Sequence, residues 1–374
     1  MSFTWIKSLA MACLLLPTSA FADEEPKKKK GFFIRSPSDK FSMQIGGLIQ
    51  PRFTAQATLQ EQNSGEVHFS IPRGQVKFGG HVFDKAVKYS FQTEWGKGSA
   101  LIKDLWVEYA AFDGKLSIRA GQYKRPFSRQ WLTSAGGQEF VERSITHAYF
   151  SPGRDIGFML HNQYLNSPRV EWAVGLFNGT GYVPWFEGDM AFDRDTYDII
   201  VEKGEFTNIP QIFNPTAVGR IAYNHNDIDA YTEADLEGGK PRFAIGLSTM
   251  ADFDVDYDQQ SGTRHEIDYI FKAHGFSSTG AFFLSTQAEG DFSDQELAAG
   301  GYHLQISQVF AEIVQPAVRY ASIRRPGANM HTIKGCISFY FFDHNFKIQS
   351  DSGITFHQGG QIDLAIRGQV SLMF

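Results

Sequence analysis

Between Ile362 and Phe374 the chain alternates. Ile362, Leu364, Ile366, Gly368, Val370, Leu372 and Phe374 form an almost wholly apolar set, and Asp363, Ala365, Arg367, Gln369, Ser371 and Met373 form a mostly polar one. Side chains on a strand point to opposite faces in turn, so the pattern predicts a strand with one apolar and one wet face. The pattern recurs. Val87, Tyr89, Phe91, Thr93 and Trp95 alternate with Lys88, Ser90, Gln92 and Glu94, and Tyr302, Leu304 and Ile306 alternate with His303, Gln305 and Ser307. A helix would repeat its apolar positions at three and four residues instead.

The alternation predicts strands near 40–58, 66–80, 84–96, 99–112, 114–122, 156–165, 168–178 and 215–225. Further strands are predicted near 241–253, 263–275, 277–288, 297–309, 311–323, 330–342, 344–354 and 361–374, which makes sixteen. In the second strand the apolar phase shifts from odd (Val67, Phe69, Ile71) to even (Val76, Phe78), predicting a bulge near Pro72-Arg73-Gly74. Two connections are unusually long. Residues 123–155 are expected to fold inward as a constriction, and 179–214, with the acidic EGDMAFDRDTYD, to face outside.

The first residues have the layout of a secretory signal: Lys7, an apolar run from Leu9 to Leu16, and Ala20-Phe21-Ala22 before Asp23. The expected division is a signal peptide over 1–22, a flexible basic tail over 23–39 and one domain over 40–374. The Leu9–Leu16 run falls short of the ~20 residues a membrane-spanning helix needs, and no longer run follows. Beyond the signal the single cysteine is Cys336, so no intramolecular disulfide is expected. A formal net charge of -6 does not suit a nucleic-acid partner.

Composition sharpens the fold class. With 34 Phe, 14 Tyr and 36 Gly, the aromatic share is 14%, yet mean hydropathy is -0.27. Many aromatics in a polar chain suit an all-β, transmembrane antiparallel β-barrel, apolar outside and wet inside, with one long loop folded into the lumen. In such barrels the last strand commonly ends in Phe and is read by the assembly machinery. The strand ending at Phe374 is therefore expected to close the barrel against the first. The alternative, an edge strand of a soluble sandwich, would need a second sheet over its apolar face.

If the apolar set faces lipid, the lumen receives Arg52, Arg73, Lys77, Lys88, Arg119, Arg220, Arg242, Lys272, Arg319, Lys334, Lys347 and Arg367. Against them stand Glu94, Asp104, Glu108, Glu171, Glu266, Asp268, Asp351 and Asp363. The inward loop adds Lys124, Arg125, Arg129, Arg143 and Arg154, against Glu139, Glu142 and Asp155. Lys and Arg rings favour anions in pores, and guanidinium groups grip phosphate oxygens in pairs; mixed charges that pair across strands would leave little preference. The candidate anion-attracting residues are Arg73, Lys77, Arg119, Lys124, Arg125, Arg129, Arg143, Arg154, Arg220, Arg319 and Arg367.

Catalytic signatures are weak. GFSSTG lacks the spacing of a Gly-x-Ser-x-Gly elbow. HEIDY lacks the second histidine of a zinc motif, and the eleven histidines are scattered. No enzyme, metal or cofactor is expected. The rivals to a channel are a barrel hydrolase and a structural or adhesive barrel with a plugged lumen.

Several segments together resemble the phosphate-selective porin O and P family: LIKDLWVEYA (101–110), IRAGQYKRPFS (118–128), ERS (142–144), SPGRDIGFMLHN, VGLFNGTG (174–181) and GCISFYFFDHNFKIQ. IPRGQVKFGG is similar too, with Pro72-Arg73 where the family has paired arginines. The resemblance covers most of 40–374. It implies a sixteen-stranded, usually trimeric channel in a Gram-negative outer membrane, passing small hydrophilic solutes, often anions, with phosphate a candidate. Its partners would be those solutes and outer-membrane lipid.

Overall fold

The computed structural model describes residues 32–59, 64–96, 98–192, 199–210, 213–253, 260–289 and 296–374. The expected signal peptide over 1–22 and the Lys27–Lys30 run lie outside them. Among the described residues the first eight strands are β1 (Phe32–Arg35), β2 (Phe41–Leu59), β3 (Ser64–Val82), β4 (Asp84–Glu94), β5 (Leu101–Ala111), β6 (Leu116–Lys124), β7 (Arg154–His161) and β8 (Val170–Phe177). A hairpin, β9 (Trp185–Phe192) with β10 (Ile199–Thr207), follows. The rest are β11 (Thr216–His225), β12 (Arg242–Asp252), β13 (Gln260–Ala273), β14 (Phe276–Glu289), β15 (Glu296–Gln308), β16 (Val314–Arg324), β17 (Met330–Phe342), β18 (Phe346–His357) and β19 (Ile362–Met373).

Sixteen of these strands, β2–β8 and β11–β19, form one antiparallel ring, each paired with its sequence neighbour across the hairpin connections. The ring closes twice over. β8 pairs with β11 across the long connection, and β19 pairs with β2 from Ile362↔Leu59 to Met373↔Leu48. The last rung is reciprocal: the Gly47 amide donates to the Phe374 carbonyl at 2.9 Å, and the Phe374 amide to the Gly47 carbonyl at 3.1 Å. With no water in hydrocarbon to serve an unpaired backbone group, closure is the condition for crossing a membrane as strands.

The expected bulge is present. Gln50 faces Arg73 but Arg52 faces Ser70, so Ile71 and Pro72 share one partner position. Outside the expected set lie β1, which pairs with the start of β2, and the hairpin β9–β10. The side chains of 186–203, which include the whole acidic stretch EGDMAFDRDTYD, lie outside the described residues.

Burial is inverted relative to a soluble protein. On the outer face Val107, Ile333 and Ile366 are 60%, 52% and 57% exposed, whereas inward Glu171, Lys347 and Ser371 are fully buried. The alternation read along each strand is this division between lipid and lumen.

Two segments fill part of the lumen. From the end opposite Phe374 comes 125–153, with the short helices α1 (Arg129–Leu132) and α2 (Ile145–Phe150). From the Phe374 end comes 226–241, whose Ile228, Ala230, Tyr231 and Ala234 are buried with Leu132, Phe150 and Tyr164 in and around one core. The second segment was not expected. Its length at an end otherwise closed by tight turns was the available signal.

Candidate permeation pathway

The inward loop is held by buried polar bonds rather than by apolar packing alone. Ser144 caps α2, accepting from the His147 amide at 3.3 Å. At the loop tip the Glu139 carboxylate accepts from Ser307 Oγ (2.5 Å), Gln315 Nε2 (2.6 Å) and Gln305 Nε2, and its carbonyl from Ser338 Oγ and Gln349 Nε2. Its amide donates to Glu233 of the other segment at 2.9 Å, so the two segments meet here. Burial and the Glu233 carboxylate push the Glu139 carboxyl up to about 7.

A second anchor lies across the barrel. Arg129 of α1 donates to Asp268 at 2.6 Å, and Arg220 donates to Asp268 at 2.6 Å and Glu171 at 3.1 Å. Tyr231 Oη donates to Glu171 at 2.7 Å, again joining 226–241 to the wall. Asp268→Ala would leave two buried guanidinium groups short of a partner. The expected cost is about 3–5 kcal/mol, read as a large fall in the melting temperature of the folded barrel.

Most of the basic candidates have carboxylate partners. Arg119 pairs with Glu108, Arg125 with Asp155, Arg129 and Arg220 with Asp268, Arg154 with Asp104 and Arg367 with Asp351. Arg73 shares Glu142 with Arg52. Against the opposing pull of burial, Arg73 and Arg52 bring the Glu142 carboxyl down to about 2. Arg319 is buried over the Phe140 ring and donates to Gln305 and the Glu142 carbonyl.

The remainder form the cationic surplus. Lys77 points into the barrel yet stays exposed, and among the described residues no carboxylate lies within ion-pair distance of it. It sits in one cross-strand row with Gln92 and Asp104, and Asp104 is already taken by Arg154. Lys124 Nζ is held by the carbonyls of Trp131 (2.6 Å) and Leu132 (3.1 Å) at the end of α1. Arg143 donates to the carbonyls of Gln130 and Thr133. Lys334, opposite Arg319 on the wall, has no carboxylate partner among the described residues.

Trp131 gathers two of these cations and the Asp104-paired Arg154. Lys124, Arg143 and Arg154 stand 5.0, 5.4 and 5.5 Å from its ring, and His147 stacks on it at 5.3 Å. Burial and the nearby Arg143 and Lys124 hold His147 well below its ordinary range, so it stacks as the neutral imidazole. Trp131 and Glu233 escaped the sequence reading of the site, and Glu139 entered it only as an acid of the inward loop, not as its anchor. A single aromatic or acid in a loop carries no spacing signal, and only the fold brings them to the lumen.

A closed ring of sixteen antiparallel strands, apolar outside, charged inside and narrowed by an inward loop, is an outer-membrane diffusion channel. Residues 43–182 match the model of the family "Phosphate-selective porin O and P", the family that the sequence motifs resemble. No match was found among curated proteins. Solved structures share the fold. The anion-selective porin of Comamonas acidovorans matches with a TM-score of 0.57 at 10% identity, over 89% of this chain and 99% of that one. The outer-membrane channel DcaP of Acinetobacter baumannii matches with 0.54 at 10% identity, over 92% and 99%. Salmonella typhi OmpF matches with 0.52 at 12% identity, over 91% and 100%. The protein is a channel of the Gram-negative outer membrane.

Proposed function

We propose that the channel passes small hydrophilic solutes with a preference for anions, phosphate among the candidates, by steric and electrostatic filtering and without a covalent step. One observation carries the reading. Around the inward loop, Lys77, Lys124, Arg143 and Lys334 lack carboxylate partners among the described residues, while Asp104 and Glu142 beside them are neutralised by arginines. The acids of the loop tip without a basic partner, Glu139 and Glu233, are outnumbered by these four cations, so the balance there leans positive, and rings of Lys and Arg favour anions. The anion-selective porin of Comamonas acidovorans has the same fold and supports the reading. The same reading has three barrels associating in lipid and the Phe374 strand addressed by the assembly machinery.

The test is the zero-current potential of the refolded protein in a planar bilayer under a KCl gradient. The sign carried by chloride is expected, and competition by phosphate is the next measurement. The cation sign would overturn the preference while leaving the channel intact. Absence of conductance from folded protein would make this a plugged barrel.

Lys77→Glu reverses a charge at the water-facing wall. One charge at close range is worth about 1 kcal/mol in water, so the chloride-to-potassium permeability ratio is expected to fall roughly fivefold or more. An unchanged ratio would place the ion path elsewhere.

A further inference from the structure

The inward loop divides the lumen unequally. Its cationic side faces β3–β5, and on its other side, against the ends of β12–β15 away from Phe374, lies a cavity of about 510 Å³. That volume is within the range of small-molecule sites. The chemistry of the lining differs from that of the cationic side. Its cations are Arg125 and Arg264, and each is matched: Arg125 by Asp155, and Arg264 by Asp252 at 3.3 Å. Neither lining cation is left without a carboxylate.

The rest of the lining is amides, hydroxyls and an aromatic face. Asn178 and Gln287 line it with side-chain amides, which both donate and accept. Thr180 donates to the Asn208 carbonyl (2.9 Å) and Thr216 to Asp252 (2.6 Å), which leaves lone pairs on both oxygens for an incoming donor. Tyr149, 37% exposed, offers its ring, and Arg325 packs 5.4 Å from it. Two lining groups are buried donors with no hydrogen-bond partner among the described residues: Ser261 Oγ, on a residue 2% exposed, and Arg125 Nε, on a residue 5% exposed. Buried donors are ordinarily satisfied.

From this lining we infer that the cavity is a binding subsite for neutral polyhydroxylated solutes of mono- or disaccharide size. Each ligand hydroxyl needs a donor and an acceptor at once, which paired amides and hydroxyls supply. The C–H face of a sugar ring is covered by an aromatic such as Tyr149. This goes beyond anion filtering, because it uses the opposite side of the loop and hydroxyl and amide groups rather than the Lys77, Lys124, Arg143 and Lys334 cations.

The experiment is calorimetric titration of the folded, detergent-solubilised protein with glucose, sucrose and maltose, and with potassium phosphate as the contrasting probe. Saturable binding of at least one sugar at millimolar concentration is expected. Tyr149→Ala should weaken it about tenfold, while the zero-current potential in KCl stays that of the parent. Gln287→Ala is the second variant, should Tyr149→Ala fail to fold, and is expected to weaken sugar binding in the same direction. The proposal is overturned if no sugar binds saturably, if the folded variants bind as the parent does, or if phosphate displaces the sugar competitively. A cation-selective channel that still binds sugar would sink the anion reading and leave this one standing.

Discussion

Gly47→Val is expected to abolish the folded barrel, and removal of Phe374 to reduce its yield severely. A side chain at Gly47 would start 2.6 Å from the Phe374 ring and 2.9 Å from the Gln75 carbonyl, one of them backbone that cannot retreat. The neighbouring Gly46 is equally constrained, its would-be Cβ lying 2.9 Å from the Phe374 carbonyl. Both clashes fall on the seam where β19 meets β2. In a soluble sheet a disturbed terminal rung frays into water at small cost. In hydrocarbon every unpaired amide and carbonyl costs several kcal/mol, and a ring opened at one seam has two edges to expose. The effect should therefore be nearly all-or-none. The readout is the fraction of heat-modifiable, protease-resistant barrel in outer-membrane preparations. A normal yield of Gly47→Val would show that the seam can be repaired locally and that β19 is not the closing element.

What the sequence disclosed was whatever repeats. Each lipid-facing position must be apolar and each lumen position tolerates polarity, so the period of two survives in every strand, even across the bulge at Ile71 and Pro72. Termini of the ring strands lie within a few residues of those expected, and 123–155 does enter the lumen as 125–153. The reading was blind where no period operates. β1 is four residues long, too short for alternation to register. Segment 226–241 fills the lumen through single apolar anchors, such as Ile228 and Tyr231, and through backbone acceptors; Lys272 Nζ, for example, is held by the Asp229 carbonyl at 3.0 Å. Charge bookkeeping was legible as a list and not as a field. Counting basic residues could not show that Arg129 and Arg220 are absorbed by Asp268, or that Lys77 remains facing water.

Glu139→Ala is expected to release the tip of the inward loop, raising single-channel conductance and weakening selectivity. Truncation removes the acceptor shared by Ser307, Gln305 and Gln315, three buried donors on two strands. Gln305 keeps Glu233 and Gln315 keeps Ser307 as second acceptors. The loss is therefore the Ser307 hydroxyl's acceptor and one N–H of each amide, at about 1–3 kcal/mol apiece, enough to loosen a tip that the buried Phe140 and Val141 also hold. The same carboxyl makes the anchor sensitive to pH. Its pKa is raised, to about 7 from an ordinary 4.5, by burial and by Glu233. The anchored state therefore holds the proton more tightly than the released state does. Anchoring is strongest at and below pH 4.5, weakens as pH climbs from there to about 7, and is constant above that. The slope is at most about 1.4 kcal/mol per pH unit within the window. Channel recordings between pH 4.5 and 8 should show conductance, or the frequency of excursions to a larger state, rising toward neutrality and then levelling. Glu139→Gln keeps a neutral hydrogen-bonding group and should hold the low-pH behaviour throughout, with a flat profile. If Glu139→Gln titrates as the parent does, the proton resides on another group, with Glu233 the first to substitute. If neither variant changes the profile, the tip is fixed by its backbone bonds to Ser338 and Gln349.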